Sequence, residues 1–142
     1  MNGQIAMEGP LARLANVAPT TMVRRVLQVD AVVTGANGLA YLAAAGALDS
    51  VLGVPEGFLR GIGAFLCVFA LGVWTISSRP APNRGAVVAV AAANGGWVAA
   101  SLVYAAAGWH DPSTGGTAWT VVQALTVAAF AAAQLWAVRR LD

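Results

Sequence analysis

The sequence is poor in charge. Charged residues make up only 10% of its 142 residues, and every cationic side chain is an arginine, because the chain contains no lysine. Soluble domains average about 25% charged residues, so this chain has too little charge to cover a water-soluble globule of its size. With 58% hydrophobic residues and a mean hydropathy of +0.70, the composition is typical of a protein embedded in a lipid bilayer.

Cysteine and histidine are almost missing. Cys67 is the only cysteine and lies inside an apolar run, so an internal disulfide is excluded, as is a Cys/His metal cluster. The one histidine, His110, has no candidate nucleophile beside it, and no phosphate-binding loop or zinc-protease motif occurs. We therefore predict no metal, no cofactor and no enzymatic activity. The net charge is only +2, and the arginines form no aromatic-interleaved stripe, which argues against nucleic-acid binding.

Long apolar runs dominate what is present. Four of them approach the roughly 20 residues needed to cross a bilayer, and short connections rich in Pro and Gly separate them. We predict an all-α polytopic membrane protein, a four-transmembrane-helix bundle formed by residues 23–142. Residues 1–22 are predicted to be a flexible cytoplasmic tail. The predicted spans are 26–48, 58–77, 86–108 and 117–138.

The arginines predict the orientation of the chain. Seven of the eight lie on one side of a four-span topology, and only Arg60 lies on the other. The positive-inside rule then places both termini in the cytoplasm, with the protein in the inner (plasma) membrane. A rival interpretation makes Arg24 and Arg25 the start of a cleaved signal sequence, but the long apolar run and Asp30 favour a retained span. The seven arginines are Arg13, Arg24, Arg25, Arg79, Arg84, Arg139 and Arg140.

Polar side chains recur at helical spacing within the apolar runs. Because a helix turns 100° per residue, those of the first, third and fourth spans each fall on one face, which we call the polar seam. The second span instead offers a small-residue face, containing Gly61, Phe65, Val68, Gly72 and Thr75, for packing or for a homo-oligomer. The polar seam consists of Asp30, Thr34, Asn37, Tyr41, Asn94, Ser101, Tyr104, Gln123 and Gln134.

Two interpretations of the polar seam stay open. In the first, amides and hydroxyls turn inward because an unpaired polar group facing lipid is unfavourable by several kcal/mol. In the second, the same side chains line a cavity for a small molecule, a lipid head group or an ion. Asp30 follows Arg25 closely in sequence and is therefore expected near the cytoplasmic surface, where the other arginines lie. We predict that it forms an ion pair there with Arg79, Arg84 or Arg139; the alternative is a proton or cation site.

Tryptophan positions predict where the spans meet the membrane surface. Trp74, Trp119 and Trp136 lie near span ends, as an aromatic belt requires, whereas Trp97 lies deeper and is expected to pack inside the bundle. In the last connection, Asp111 and Pro112 are predicted to start a turn.

Three stretches carry a family resemblance: "LQVDAVVTGANGLAYL", "FLRGIGAFLCVFALGVW" and "GTAWTVVQALTV". With these, the chain resembles small uncharacterised four-helix integral membrane proteins of high-GC bacteria. The Arg-Gly-x-Gly start of the second span is also similar to DoxX-type membrane proteins. The resemblance covers nearly everything after residue 22 and implies the four-helix architecture, but it brings no catalytic residue.

Three functions remain for comparison. The first is a non-enzymatic accessory protein or lipid-interacting scaffold held by the polar seam, with the lipid bilayer, a second copy or another membrane protein as partner. The second is a small-solute or proton-coupled transporter or channel that uses the same seam. A membrane enzyme is the third and has the least support. A tightly filled bundle centre would favour the scaffold, whereas a pocket ringed by amides would favour ligand binding or transport.

Overall fold

The structure is a computed structural model that describes residues 9–141, with the backbone alone for residues 12–17. The described part of the chain consists of helices and short connections and contains no strand. Each α-helix includes a stretch long and apolar enough to cross a membrane, as the composition predicts. The elements are α1 (Pro10–Leu52), α2 (Glu56–Ser77), α3 (Arg84–Ala107), α4 (Thr114–Val138) and a final 3₁₀ helix (Arg139–Leu141).

Local sequence explains where the helices begin and end. Asn83 and Ser113 precede α3 and α4, and each side-chain oxygen accepts a hydrogen bond from a backbone N–H of the first turn. These caps satisfy donors that a helix start leaves unpaired. Helix α1 ends at Gly53, whose left-handed φ of 67° suits glycine, and its N–H bonds to the Asp49 carbonyl. The Pro- and Gly-rich connections therefore end helices as predicted.

The first helix is longer than the sequence pattern indicates. Residues 10–22, assigned above to a flexible tail, continue α1 back to Pro10, whereas residues 1–8 lie outside the described residues. Proline is favourable at the first helical position because the N–H it lacks has no partner there. The helix tolerates Pro19 and is interrupted at Ala44, which has non-helical φ and ψ of −120° and 19°. Its apolar part, Ala18–Leu52, spans 35 residues.

The helices pack in the order α2–α1–α4–α3. Helix α1 lies against α2 and α4, and α4 lies against α3, whereas α2 and α3 touch each other very little. The packing is therefore a curved row whose two outer helices face each other across a cleft, rather than a uniformly closed bundle. The cleft is bounded by α2 on one side and α3 on the other, with α1 and α4 as its floor.

The two ends of the row differ in packing. At the end that carries the first part of α1, the end of α4 and the α2–α3 connection, which we call the arginine end, small apolar residues from all four helices form one buried cluster. At the opposite end, which we call the loop end, the buried cluster comes from α1, α2 and the connection between them. The arginine-end cluster comprises Val23, Leu27, Ala31, Val73, Val87, Val90, Ala137 and Val138.

Glycines bring α1 and α2 together, but on a different face of α2 from the predicted one. A Cβ atom on Gly38 would lie 2.8 Å from the Gly63 carbonyl oxygen, and one on Gly63 would lie equally close to the Gly38 carbonyl. Gly61 and Gly72 have no atom within 4 Å of the corresponding position, so the predicted Gly61–Gly72 packing face was wrong within the chain. The two glycines of that face point away from α1, whose backbone lies on the Gly63 side, whereas Phe65 of the same face lines the cleft.

The outer surfaces of the helices are apolar. Only 22% to 28% of the residues in each candidate span are buried inside the protein, so most of the apolar side chains face outward. Val68 and Leu71 of α2 and Leu125 of α4 are each more than three-fifths exposed. An apolar surface of this extent marks contact with lipid or with a partner rather than with water.

Candidate ligand-binding cleft

A buried polar cluster around Asp30 joins three helices near the arginine end. The Asp30 carboxylate accepts hydrogen bonds from the Asn94 amide (2.8 Å) and from the Gln134 amide (2.6 Å), both on Oδ2. Thr34, one turn along α1, donates to Oδ1 at 2.9 Å. Asn94 also donates to Gln134 Oε1 at 3.1 Å. Asp30 is completely buried, and Asn94 and Gln134 are at most 4% exposed.

The ion pair predicted for Asp30 is replaced by these neutral hydrogen bonds. Arg24 donates from Nε to the Ser77 carbonyl oxygen at 2.9 Å, and Arg140 lies over the Trp136 ring, 4.1 Å from its centroid. One ion pair among the described residues, Arg60 with Glu56, lies at the loop end on the surface of α2. The prediction was wrong because helical phase turns Asp30 inward, toward the amides of α3 and α4, whereas arginine side chains can reach the water-facing end.

A second polar cluster lies nearer the loop end, on α1 and α4. The Tyr41 hydroxyl accepts hydrogen bonds from the Trp119 indole N–H (2.8 Å) and from the Gln123 amide. Gln123 also donates to the Asn37 carbonyl oxygen at 3.4 Å. Trp119 thus donates into the interior hydrogen-bond network, while the residue remains 41% exposed near the start of α4, where the aromatic belt was predicted.

A third cluster closes the loop end. Tyr104 stacks on Phe58 of α2, and its hydroxyl lies 3.3 Å from His110 Nδ1. His110 also contacts the Phe58 ring, with centroids 4.7 Å apart. The backbone of His110 is left-handed (φ 64°), as is that of Asp111 (φ 50°), which is uncommon for residues other than glycine. Ser113 bonds to the Val51 and Leu52 carbonyls and ties this connection to the end of α1.

A cavity of about 600 Å³ occupies the middle of the cleft. All four helices contribute to this central cavity, and its wall is mostly apolar and aromatic, with a few amides and hydroxyls. Thr34 and Asn94, which bond to Asp30, are part of the wall, whereas Asp30 itself lies behind them. The main lining residues are Thr34, Asn37, Phe65, Phe69, Asn94, Trp97, Trp119, Gln123 and Phe130.

A second cavity of about 720 Å³ adjoins it toward the loop end. The two cavities share Trp97, Ala100, Trp119 and Gln123 in their walls, so they form one elongated space between α2 and α3. Stacked ring pairs cross the cleft at two levels: Phe65 with Trp97, and Phe58 with Tyr104. The loop-end cavity is lined mainly by Tyr41, Phe58, Ile62, Trp97, Ser101, Tyr104, Trp109, His110, Trp119 and Gln123.

The lining determines what chemistry this space can hold. Among the described residues, no carboxylate and no arginine lines either cavity, and His110 is the one titratable imidazole. Within the described part of the chain, no group of three or more His, Cys, Asp or Glu side chains comes together. Apolar walls with a few placed hydrogen-bonding groups are typical of small-molecule sites of about 300–1,000 Å³.

The polar seam predicted from the sequence falls into groups rather than forming one continuous line. Asp30, Thr34, Asn94 and Gln134 form the first cluster; Asn37, Tyr41 and Gln123 form the second; and Tyr104 belongs to the third. Ser101 is half-buried in the wall of the loop-end cavity.

Sequence reasoning missed two polar members of the site. Trp119 lies four residues before Gln123, on the same helical face, which was the available signal. His110 lies in a connection, where helical periodicity carries no information about its direction.

Comparison with protein-family models, with curated proteins and with solved structures found no match for this chain. The resemblance to DoxX-type proteins therefore stays a prediction, and the function must be argued from the cleft itself.

Proposed function

We propose that this chain is an integral membrane protein without enzymatic activity that binds an amphipathic small molecule, drawn from the bilayer, in the cleft between α2 and α3. The single observation that carries the proposal is the pair of adjoining cavities lined by apolar rings and neutral hydrogen-bonding groups. A scaffold held only by the polar seam would have a filled centre.

Membrane residence is supported by the length and composition of the four helices and by their apolar outer faces. The proposed orientation has both termini in the cytoplasm, because Arg24, Arg25, Arg79, Arg139 and Arg140 belong to the arginine end.

Thiol labelling of whole cells tests this orientation. In a Cys67→Ala background, a membrane-impermeant reagent should label Asp111→Cys at the loop end and leave Ser78→Cys unlabelled. Both positions are exposed, so access alone does not separate them. The reverse labelling pattern would contradict the proposed orientation.

Lateral entry is supported by the sparse contact between α2 and α3. A ligand already dissolved in lipid can pass between two helices that barely touch each other, whereas α1–α2 and α3–α4 are closely packed. Its polar end would meet hydrogen-bonding groups such as Asn37, Gln123 and Tyr104, and its apolar body would lie against the rings. These interactions suit a receptor for lipid-soluble molecules rather than for free ions or sugars.

Fluorescence quenching tests the proposal directly. In a variant that keeps Trp97 as its one tryptophan, a dibrominated stearyl alcohol should quench the fluorescence saturably, because Trp97 lines both cavities. In a matched variant that keeps only Trp136, which is half-exposed on the outer surface, quenching should rise without saturation.

A filled cleft provides the control. Ala100 lines both cavities, so Ala100→Phe should abolish the saturable phase at Trp97. Ala99 is exposed and lines neither cavity, so Ala99→Phe should leave that phase unchanged. Equal quenching in the two variants would contradict the proposed site.

Transport is the second candidate function, favoured by the fully buried Asp30, which is unusual within an apolar helix. The test measures transport across the membrane of liposomes that contain the protein or its Asp30→Asn variant. Loss of pH-dependent flux in Asp30→Asn, with the fold retained, would support transport, and unchanged flux would oppose it.

A further inference from the structure

The buried carboxylate of Asp30 lies directly behind the wall of the central cavity. Thr34 and Asn94 touch both: each donates a hydrogen bond to Asp30, and each lines the cavity. One layer of side chains therefore separates the carboxylate from the cavity space. Asp30 is fully buried, so its electric field is screened by protein rather than by water.

The donors around Asp30 are neutral. Thr34, Asn94 and Gln134 supply one hydroxyl and two amides, and these orient dipoles toward the carboxylate without adding positive charge. Arg24 and Arg140 are engaged by the Ser77 carbonyl and the Trp136 ring. No arginine lines the cavity among the described residues, so a positive charge that enters it meets no repelling side chain there.

Aromatic rings form much of the cavity wall. Phe65, Phe69, Trp97, Trp119 and Phe130 line the central cavity. The faces of such rings carry partial negative charge and attract cations within about 6 Å, more strongly when the cation is desolvated. Rings also provide the apolar contact that a hydrophobic substituent needs. The wall is thus suited to a ligand that is both hydrophobic and positively charged.

We propose that the ligand of the cleft is a hydrophobic organic cation, such as a quaternary ammonium or phosphonium with bulky apolar substituents. The inference rests on the proposed function and names the ligand class of the same site. The charged centre lies against Thr34 and Asn94, in front of Asp30, and the substituents contact the rings of α2, α3 and α4. Attraction through one layer of side chains suits a large cation whose charge is already shielded by its substituents.

A bare metal ion fits this arrangement less well. The Asp30 oxygens already accept hydrogen bonds from Thr34, Asn94 and Gln134, and two N–H groups converge on Oδ2. Coordination of a small cation needs lone pairs directed at one point, and amide donors that face the carboxylate occupy those directions. An organic cation requires the field of the carboxylate and not its lone pairs.

The experiment uses the full chain in a non-ionic detergent, with Trp97 as the one tryptophan and dibrominated stearyl alcohol as the bound quencher. Two probes of similar shape compete with the quencher: tetraphenylphosphonium, which is cationic, and triphenylphosphine oxide, which is neutral. We expect tetraphenylphosphonium to displace the quencher at a concentration about ten-fold lower. Asp30→Asn should reduce that preference to near unity while the neutral probe binds as before.

The matched control is Asp111→Asn, which removes a carboxylate in the exposed loop-end connection. Asn tolerates the left-handed backbone at this position, so the fold is kept. The cation preference should be unchanged in this variant. If Asp30→Asn fails to fold, as judged by circular dichroism, the comparison of the two probes on the unsubstituted site still tests whether the cleft prefers a cation.

The outcomes separate the two proposals. Equal displacement by both probes, with saturable quenching retained, would overturn the cation inference and leave the amphiphile site in place. A preference that persists in a folded Asp30→Asn variant would also overturn the inference, since the carboxylate would then not be its source. If quenching never saturates and Ala100→Phe changes nothing, the proposed function itself fails.

Discussion

The arginine end and the loop end are built from the same four helices, yet one is closed and the other holds a cleft. At the arginine end, valine and alanine side chains fill the space between the helices, and the buried cluster includes all four. Toward the loop end, Phe58, Phe65, Trp97, Tyr104 and Trp119 stand between them. Side-chain size sets how closely helices approach, so the aromatic residues hold α2 and α3 apart.

The polar groups differ between the two ends as well. Near the arginine end, the Asp30 cluster is buried and hydrogen-bonded, and it links three helices. Nearer the loop end, Asn37 and Gln123 are half-buried and face the cavities. The first group joins the helices and reaches the cavity wall through Thr34 and Asn94, whereas the second faces the cavities with half-buried side chains. Four substitutions test this division, from the largest expected effect to the smallest.

Gln134→Leu should have the largest effect. It removes a donor to Asp30 and an acceptor for Asn94, and a buried carboxylate then lacks one of its hydrogen bonds. We expect a loss of about 2–3 kcal/mol in the free energy of unfolding, measured by denaturant titration in mild detergent. Gln123→Leu is the matched change nearer the loop end and should cost about 1 kcal/mol. A larger loss for Gln123→Leu would contradict the division.

Gly38→Ala should follow. The added methyl group would lie 2.8 Å from the Gly63 carbonyl oxygen, 2.9 Å from Cys67 Sγ and 3.0 Å from the Cys67 backbone nitrogen. Overpacking of this kind costs about 1–3 kcal/mol, and the midpoint of thermal unfolding should fall. Gly61→Ala, on the outward face of the partner helix, meets no atom within 4 Å and should be neutral or stabilising. Equal destabilisation by the two substitutions would contradict the described contact.

Trp119→Phe should have a smaller effect on stability. It keeps the ring but removes the hydrogen bond to the Tyr41 hydroxyl, at an expected loss of about 1 kcal/mol. Trp136→Phe, on the outer surface, is the control and should change the free energy of unfolding by less. An equally large loss of stability in Trp136→Phe would contradict this prediction.

Gly72→Leu should leave the stability of the single chain nearly unchanged, because the position faces open space. If the outward face of α2 forms a contact between copies, this substitution should reduce the number of chains in the particle. Mass measurement in mild detergent reports that number. An unchanged number would remove this face from consideration as an oligomer interface.

Much of the fold could be predicted from the sequence. The four apolar runs coincide with α-helices, and helical phase correctly turned Asp30, Asn94 and Gln134 toward one another across 104 residues of sequence. Periodicity succeeds here because it depends only on the geometry of a single helix. The start of α1 was missed because residues 10–22 are only mildly apolar and contain Pro10 and Pro19, a pattern that favours a tail, whereas the helix begins at Pro10 and tolerates Pro19.

The cleft could not be predicted in the same way. Periodicity shows which face of a helix turns inward, but the distance between two inward faces depends on the side chains that meet there. The face of α2 was misassigned because Gly61 and Gly63 are both small, and only the approach of Gly38 decides between them. The ion pair of Asp30 was wrong for a similar reason, since proximity to Arg25 in sequence does not determine which donors reach a buried carboxylate.

The most direct test of the account is an experimental density map of the chain in lipid nanodiscs at side-chain resolution. The account predicts that α2 and α3 stand apart at the level of Trp97, joined there by the Phe65–Trp97 ring pair, with an open or ligand-filled space in front of Asn94 and Thr34. A map in which α2 packs directly on α3 along its length, so that this space is gone, would contradict it.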